Sequence, residues 1–127
     1  MTVHLVRHGQ STWNVEGRLQ GQTVHPELTE RGRREAAEAA ALLRARCPGT
    51  GEDVGLICSD LVRAAQTAAV IGQVLGVIVE QDVALREQGL GVLEGRLTKE
   101  LVPEPTPEGL DITEVRWGGG ESIEDVH

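Results

Sequence analysis

The chain has 127 residues, of which 39% are apolar and 25% charged, and it carries a net charge of −8. That length fits one domain with a modest core, and that composition belongs to a globular chain rather than a disordered one. The acidity argues against general binding to nucleic acid or anionic membrane, and no apolar run approaches the roughly 20 residues that span a bilayer.

Val3 to Val6 is a short apolar run, broken by His4, that ends at Arg7-His8-Gly9. It reads as a buried strand feeding a loop. Residues 9–28 are polar and punctuated by Gly9, Gly17, Gly21 and Pro26, a loop region with room for one helical turn. Thr29 is placed to cap a helix running to about Arg46, with Ala36, Ala40, Leu43 and Cys47 on its buried stripe. Pro48-Gly49-Thr50-Gly51 ends it. Gly55 to Ser59 reads as a second strand, after which Ser59 or Asp60 caps a helix over about 61–75, closed by Gly76. Val77 to Val79 reads as a third strand and Leu85 to Leu93 as a glycine-rich strand or loop. The prolines at 103, 105 and 107 mark an irregular excursion, and Ser122 is placed to cap a last helix. Strands alternating with helices predict an α/β fold with parallel strands in one domain over 1–127. Aromatics are confined to Trp13 and Trp117, so aliphatic residues must build the core.

The charge is uneven. Residues 1–34 hold five arginines against three glutamates, and the remainder holds seven basic against seventeen acidic groups. A locally basic N-terminal part suits a small anionic ligand. Arg7-His8-Gly9 lies where α/β sheets bind ligands, beyond the carboxyl end of a strand. An arginine there can grip phosphate oxygens through two parallel hydrogen bonds. A histidine can attack phosphorus through one ring nitrogen while a backbone carbonyl holds the other, and glycine leaves room for close approach.

The segment Leu5-Val6-Arg7-His8-Gly9-Gln10-Ser11-Thr12-Trp13-Asn14 resembles the signature of the histidine phosphatase superfamily, the phosphoglycerate mutase-like proteins. So, in order, do Gly17-Arg18-Leu19-Gln20-Gly21, Pro26 to Gly32, Ser59 to Ala68, Leu85 to Gly95 and Gly119-Gly120-Glu121-Ser122. The resemblance implies a three-layer α/β sandwich with a mostly parallel sheet. It implies His8 as a nucleophile that becomes phosphohistidine, and Arg7 and Arg63 as the clamp on the phosphoryl group. Glu87 becomes the proton donor to the leaving alcohol, with a pKa raised by bound phosphate. Asn14 is expected near the phosphate, and Gln20 and His25 at the pocket mouth. No metal or cofactor is expected, since the arginines supply positive charge.

The same resemblance calls for a second histidine, followed by glycine, on a late strand beside the first. Only His8 is followed by glycine, and His127 is the one late alternative. The chain therefore reads as a C-terminally truncated domain whose first strand is left with an unpaired edge. Such an edge suits a homodimer. The expected activity is hydrolysis of small phosphorylated metabolites, such as phosphosugars, phosphoglycerate or a phosphorylated nucleoside. The alternatives are a cofactor-dependent phosphoglycerate mutase and a non-catalytic phosphate-binding module. Two cysteines and an N-terminus without a signal-peptide pattern make the cytoplasm the expected compartment.

Overall fold

The computed structural model describes residues 2–47, 54–100 and 119–121. Its elements run α1 (Thr12–Glu16), α2 (Glu30–Arg46), β1 (Leu56–Cys58), α3 (Val62–Leu75) and β2 (Val79–Gln81). Short 3₁₀ turns follow at Val83–Leu85, Gly91–Leu93 and Thr98–Glu100.

Each helix starts and stops for a local reason. Ser11 accepts from the Asn14 amide while the Asn14 side chain accepts from the Ser11 amide, a reciprocal capping box that makes α1 a single turn. Thr29 caps α2 by accepting from Gly32 N–H. Helix α3 begins at Leu61 rather than Ser59 or Asp60 and has no side-chain cap, because Asp60 is committed to Arg86. It ends on Gly76, whose left-handed φ of 70° lets the chain reverse.

The core sits between α2 and α3, where Ala36 and Ala40 face a layer that includes Ala68 and Ile71, all four buried. Small side chains bring the two helices close, and Arg44 donates to the Val74 carbonyl near the end of α3. Helix α3 also packs on both strands. At Gly72 a Cβ would lie 2.9 Å from the Val77 carbonyl, so the helix–strand contact requires glycine there. The strands pair in parallel, Leu56 with Val79 and Cys58 with Gln81. The third predicted strand is thus present but two residues later than its apolar run, in the register that β1 imposes.

The predicted first strand is not formed. Residues 2–10 pair with no strand among the described residues, and Val3 and Leu5 are 73% and 95% exposed. An isolated extended segment gains nothing until a neighbour satisfies its backbone and covers its side chains. A cavity of about 580 Å³ lies alongside, lined by residues 4–8, by β1 and by one face of α3. Ile57 of β1, which also lines this cavity, is 55% exposed. The excursion at 102–111, the helix expected after Ser122, and His127 lie outside the described residues.

Candidate active site

The loop after the first segment is anchored by two glycines. A Cβ on Gly9 would lie 2.2 Å from the Gly32 carbonyl oxygen, and one on Gly32 would lie 2.1 Å from that of Gln10. The start of α2 therefore packs backbone to backbone against residues 9–10. The space at Gly9 serves this contact rather than a ligand, which corrects the sequence expectation. Gly9 N–H donates to Thr67 Oγ1 at 3.1 Å, and Thr67 donates to the Arg63 carbonyl at 2.8 Å. Thr67, which the sequence did not single out, thus ties the histidine loop to the arginine helix.

His8 is oriented by its own loop. Its Nδ1 lies 2.6 Å from the Gly9 carbonyl, so that nitrogen carries a proton and Nε2 is turned toward Glu87. Nε2 is buried and lies 3.3 Å from Glu87 Oε1, outside hydrogen-bond geometry.

Arg63 is fully buried on the first turn of α3. Nη1 donates to the Thr23 carbonyl at 2.8 Å, and Nη2 donates to the Gly21 carbonyl and to Glu87 Oε2, both at 2.7 Å. Its Nε–H is buried without a partner. Buried charged donors are normally saturated, so this guanidinium N–H and the imidazole Nε2 are exceptions among the described residues. Arg7 lines the same cavity and makes no hydrogen bond or ion pair with the described residues.

Glu87 faces both groups. The contact with His8 and the hydrogen bond from Arg63 hold its carboxyl down at about 2, against the opposing effect of burial. Without phosphate the protein's own groups thus lower this carboxyl, because His8 and Arg63 both face Glu87; the rise expected from sequence concerned the phosphate-bound state. Arg86 fixes the backbone just before it, donating to both oxygens of Asp60, from Nε at 2.6 Å and Nη2 at 2.5 Å. Cys58 lines the cavity too, but burial pushes its thiol up, which leaves it a poor nucleophile at neutral pH.

A second cavity of about 420 Å³ shares Arg7 and Glu87 and adds Trp13, Asn14, Arg18 and Gln20. The structure therefore gathers His8, Arg7, Arg63 and Glu87 around one cavity and Asn14 and Gln20 around the adjoining one. Asn14 has its carbonyl oxygen committed to the α1 cap, and Gln20 is buried, its Oε1 accepting from Ser11 Oγ at 2.5 Å. His25 lines neither cavity; its ring meets Trp13 edge-on at 5.0 Å. Among the described residues no cluster of three or more His, Cys, Asp or Glu side chains could hold a metal ion. No helix among them is long and apolar enough to cross a membrane.

Parallel strands with a buried arginine, a histidine held by its own loop and a carboxylate converging beside them describe an α/β protein with a polar cleft. The chain belongs to the histidine phosphatase superfamily (branch 1), whose family model matches residues 3–127. That is a family of phosphatases and mutases. It is 39% identical over 136 aligned positions to the probable phosphoglycerate mutase GpmB of Cronobacter sakazakii, covering 99% of this chain and 58% of that protein. A mycobacterial glucosyl-3-phosphoglycerate phosphatase, solved with VO3, superposes with a TM-score of 0.78 at 37% identity, covering 94% of this chain and 58% of that one. TTHB049 from Thermus thermophilus superposes with a TM-score of 0.71 at 31% identity, covering 95% and 64%. The chain thus spans a little over half the length of such relatives.

Proposed function

We propose that this chain carries the nucleophile-bearing part of a phosphomonoesterase acting on small phosphorylated metabolites through phosphohistidine. The observation that carries the reading is the pair of buried, unpartnered nitrogens, His8 Nε2 and Arg63 Nε, with Glu87 against both residues. His8 Nε2, in the neutral form of the ring, attacks phosphorus as Glu87 gives up its contact with it. Arg63 and Arg7 offset the charge on the transferring oxygens. A phosphate dianion competes with Glu87 for Arg63 and repels the carboxylate, so Glu87 rises from about 2 toward the range of a proton donor. It then protonates the leaving alcohol oxygen as the phosphorus–oxygen bond breaks. Water, giving a proton to the Glu87 carboxylate, afterwards attacks the phosphohistidine; the phosphorus–nitrogen bond breaks, returning free His8 and inorganic phosphate. The adjoining cavity at Trp13, Asn14 and Gln20 accommodates the alcohol portion.

Phosphoglycerate-type chemistry appears in the names of both a curated relative and a solved one, which favours a small phosphorylated sugar acid or its ester. The second histidine of the superfamily pattern would come from sequence beyond that described or from another copy. The exposed edge at Val3 to Val6 favours association between copies as one source.

The test is release of p-nitrophenol from p-nitrophenyl phosphate with EDTA present, beside His8→Ala. Turnover lost in the variant supports the reading, and turnover unchanged overturns it. No turnover in the chain, but turnover in a longer version carrying a His-Gly strand, assigns the chemistry to the combined protein. The mutase alternative, favoured by the name of the curated relative, requires a long-lived phosphohistidine that transfers to a sugar acid instead of water. Phosphate binding without turnover in any form would leave a binding module.

A further inference from the structure

Two carboxylates outside both cavities join the loops that carry the site. Glu94 Oε1 accepts from Gln22 N–H at 2.7 Å and from Leu90 N–H at 3.2 Å, and its Oε2 accepts from Thr23 Oγ1 at 3.0 Å. Glu121 Oε2 accepts from Gly89 N–H at 2.9 Å and from Gln22 Nε2 at 2.8 Å. The backbone at 121 adds a donor to the Gly89 carbonyl at 2.7 Å and an acceptor for Gln88 Nε2 at 2.7 Å. Close approach is built in: a Cβ on Gly120 would lie 2.2 Å from the Gly89 carbonyl oxygen.

The loops so joined are those that set the site. Residues 21 and 23 supply the two carbonyls that hold the Arg63 guanidinium. Residues 88 and 89 directly follow Glu87, whose other side is held by the Arg86–Asp60 pair. The connections therefore form a closed ring: Glu87 to Arg63, Arg63 to loop 21–23, that loop to Glu94 and Glu121, and those back to the backbone beside Glu87. Each carboxylate accepts charge-assisted bonds from more than one donor, which makes these the strong links of the ring. Their negative charge serves geometry here, since neither lines a cavity.

We infer that Glu94 and Glu121 are positioning residues that splice loop 21–23 to loop 88–91 and so fix Arg63 and Glu87 against His8. The inference rests on the reading of those three as the reacting groups. Its geometric content concerns the protein alone and is tested without substrate.

The experiment follows the Glu87 side-chain carboxyl carbon by ¹³C NMR from pH 7 to pH 3.5, with Glu87→Gln to assign it, and inorganic phosphate binding by calorimetry. In the wild-type chain the Glu87 signal stays flat over this range, since its pKa is about 2. In Glu94→Ala and Glu121→Ala it titrates within the range, and phosphate binds about tenfold more weakly, the size expected for losing a charged hydrogen-bond acceptor. Glu94→Gln and Glu121→Gln recover much of both, because an amide oxygen still accepts from the backbone N–H groups. A flat Glu87 signal in folded alanine variants overturns the inference. If circular dichroism shows that those variants do not fold, Gln22→Ala replaces them: it removes one donor to Glu121 and gives a smaller shift in the same direction, and no shift overturns the inference. A shift in Glu87 alongside turnover indifferent to His8→Ala would uphold the positioning role while the phosphatase reading fails.

Discussion

The Glu87 carboxylate lies 2.7 Å from Arg63 Nη2 on one side and 3.3 Å from His8 Nε2 on the other. One acidic group thus occupies both the arginine that would hold a phosphoryl group and the histidine that would attack it. The carboxylate bridges the two groups, and a phosphate bound as proposed would have to displace part of it. On the proposed function, electrostatic competition of this kind would link binding, charge and proton transfer.

Replacing Arg63 should cost both stability and phosphate binding. Arg63→Met leaves the Gly21 and Thr23 carbonyls without their donor and Glu87 without its cation. Buried acceptors stripped of partners cost about 1–3 kcal/mol each, so urea unfolding should show a loss of about 2–4 kcal/mol. Arg63→Lys should restore part of the stability but little of the phosphate affinity, because an ammonium lacks the planar fork.

The depressed Glu87 pKa has a definite pH signature. Its folded-state value of about 2 lies below the ordinary carboxylate value of 4.5, so the unfolded chain binds the proton more readily. The group therefore adds stability above about pH 4.5, and this is lost as pH falls toward about 2. The stability gap between wild type and Glu87→Gln should be constant from pH 7 to about pH 5 and shrink below that. Asp60, lowered by its hydrogen bonds from Arg86, acts in the same direction. Urea titrations at pH 7, 5 and 3.5 read the difference, and a gap that widens on acidification would contradict the assignment.

Gly9 should not tolerate alanine. The added methyl would meet the Gly32 carbonyl oxygen at 2.2 Å, and backbone on both sides cannot move aside without shifting α2. Overpacking of this kind costs about 1–3 kcal/mol or more. Gly9→Ala should lower the melting temperature and displace His8, visible as a changed imidazole NMR signal. Gly17→Ala meets no neighbouring atom, and its cost should come only from its left-handed φ of 69°.

Leu5 tests the open edge. At 95% exposure its replacement by serine should change monomer stability by less than about 0.5 kcal/mol. If copies associate through the Val3 to Val6 segment, Leu5→Ser should shift the distribution toward monomer in light scattering and reduce binding of an apolar dye. Unchanged association would assign the interface elsewhere.

Much of the local architecture was legible in the residues. Thr29, the alanines of α2 and Gly76 announced two helices, because caps and 3.6-residue periodicity act within a few positions. Arg7, His8, Arg63 and Glu87 were legible as motif positions, and the fold brings them to one cavity. The role of Gly9 was misread, since the backbone of Gly32 claims its space and lies more than twenty positions away in sequence.

The sequence by itself determined helices α2 and α3, the parallel order of strand and helix, and which motif side chains line the cavity. The tertiary structure alone decided that Val3 to Val6 pairs with no strand among the described residues, that Glu87 is held ionised, and that Glu94 and Glu121 reach the loops at 20–23 and 88–91. Those outcomes depend on partners brought together across separations as long as the 99 positions from Gln22 to Glu121. No local pattern encodes such a pair, because a strand's pairing and a carboxyl's charge are set by whichever groups chain closure places beside them.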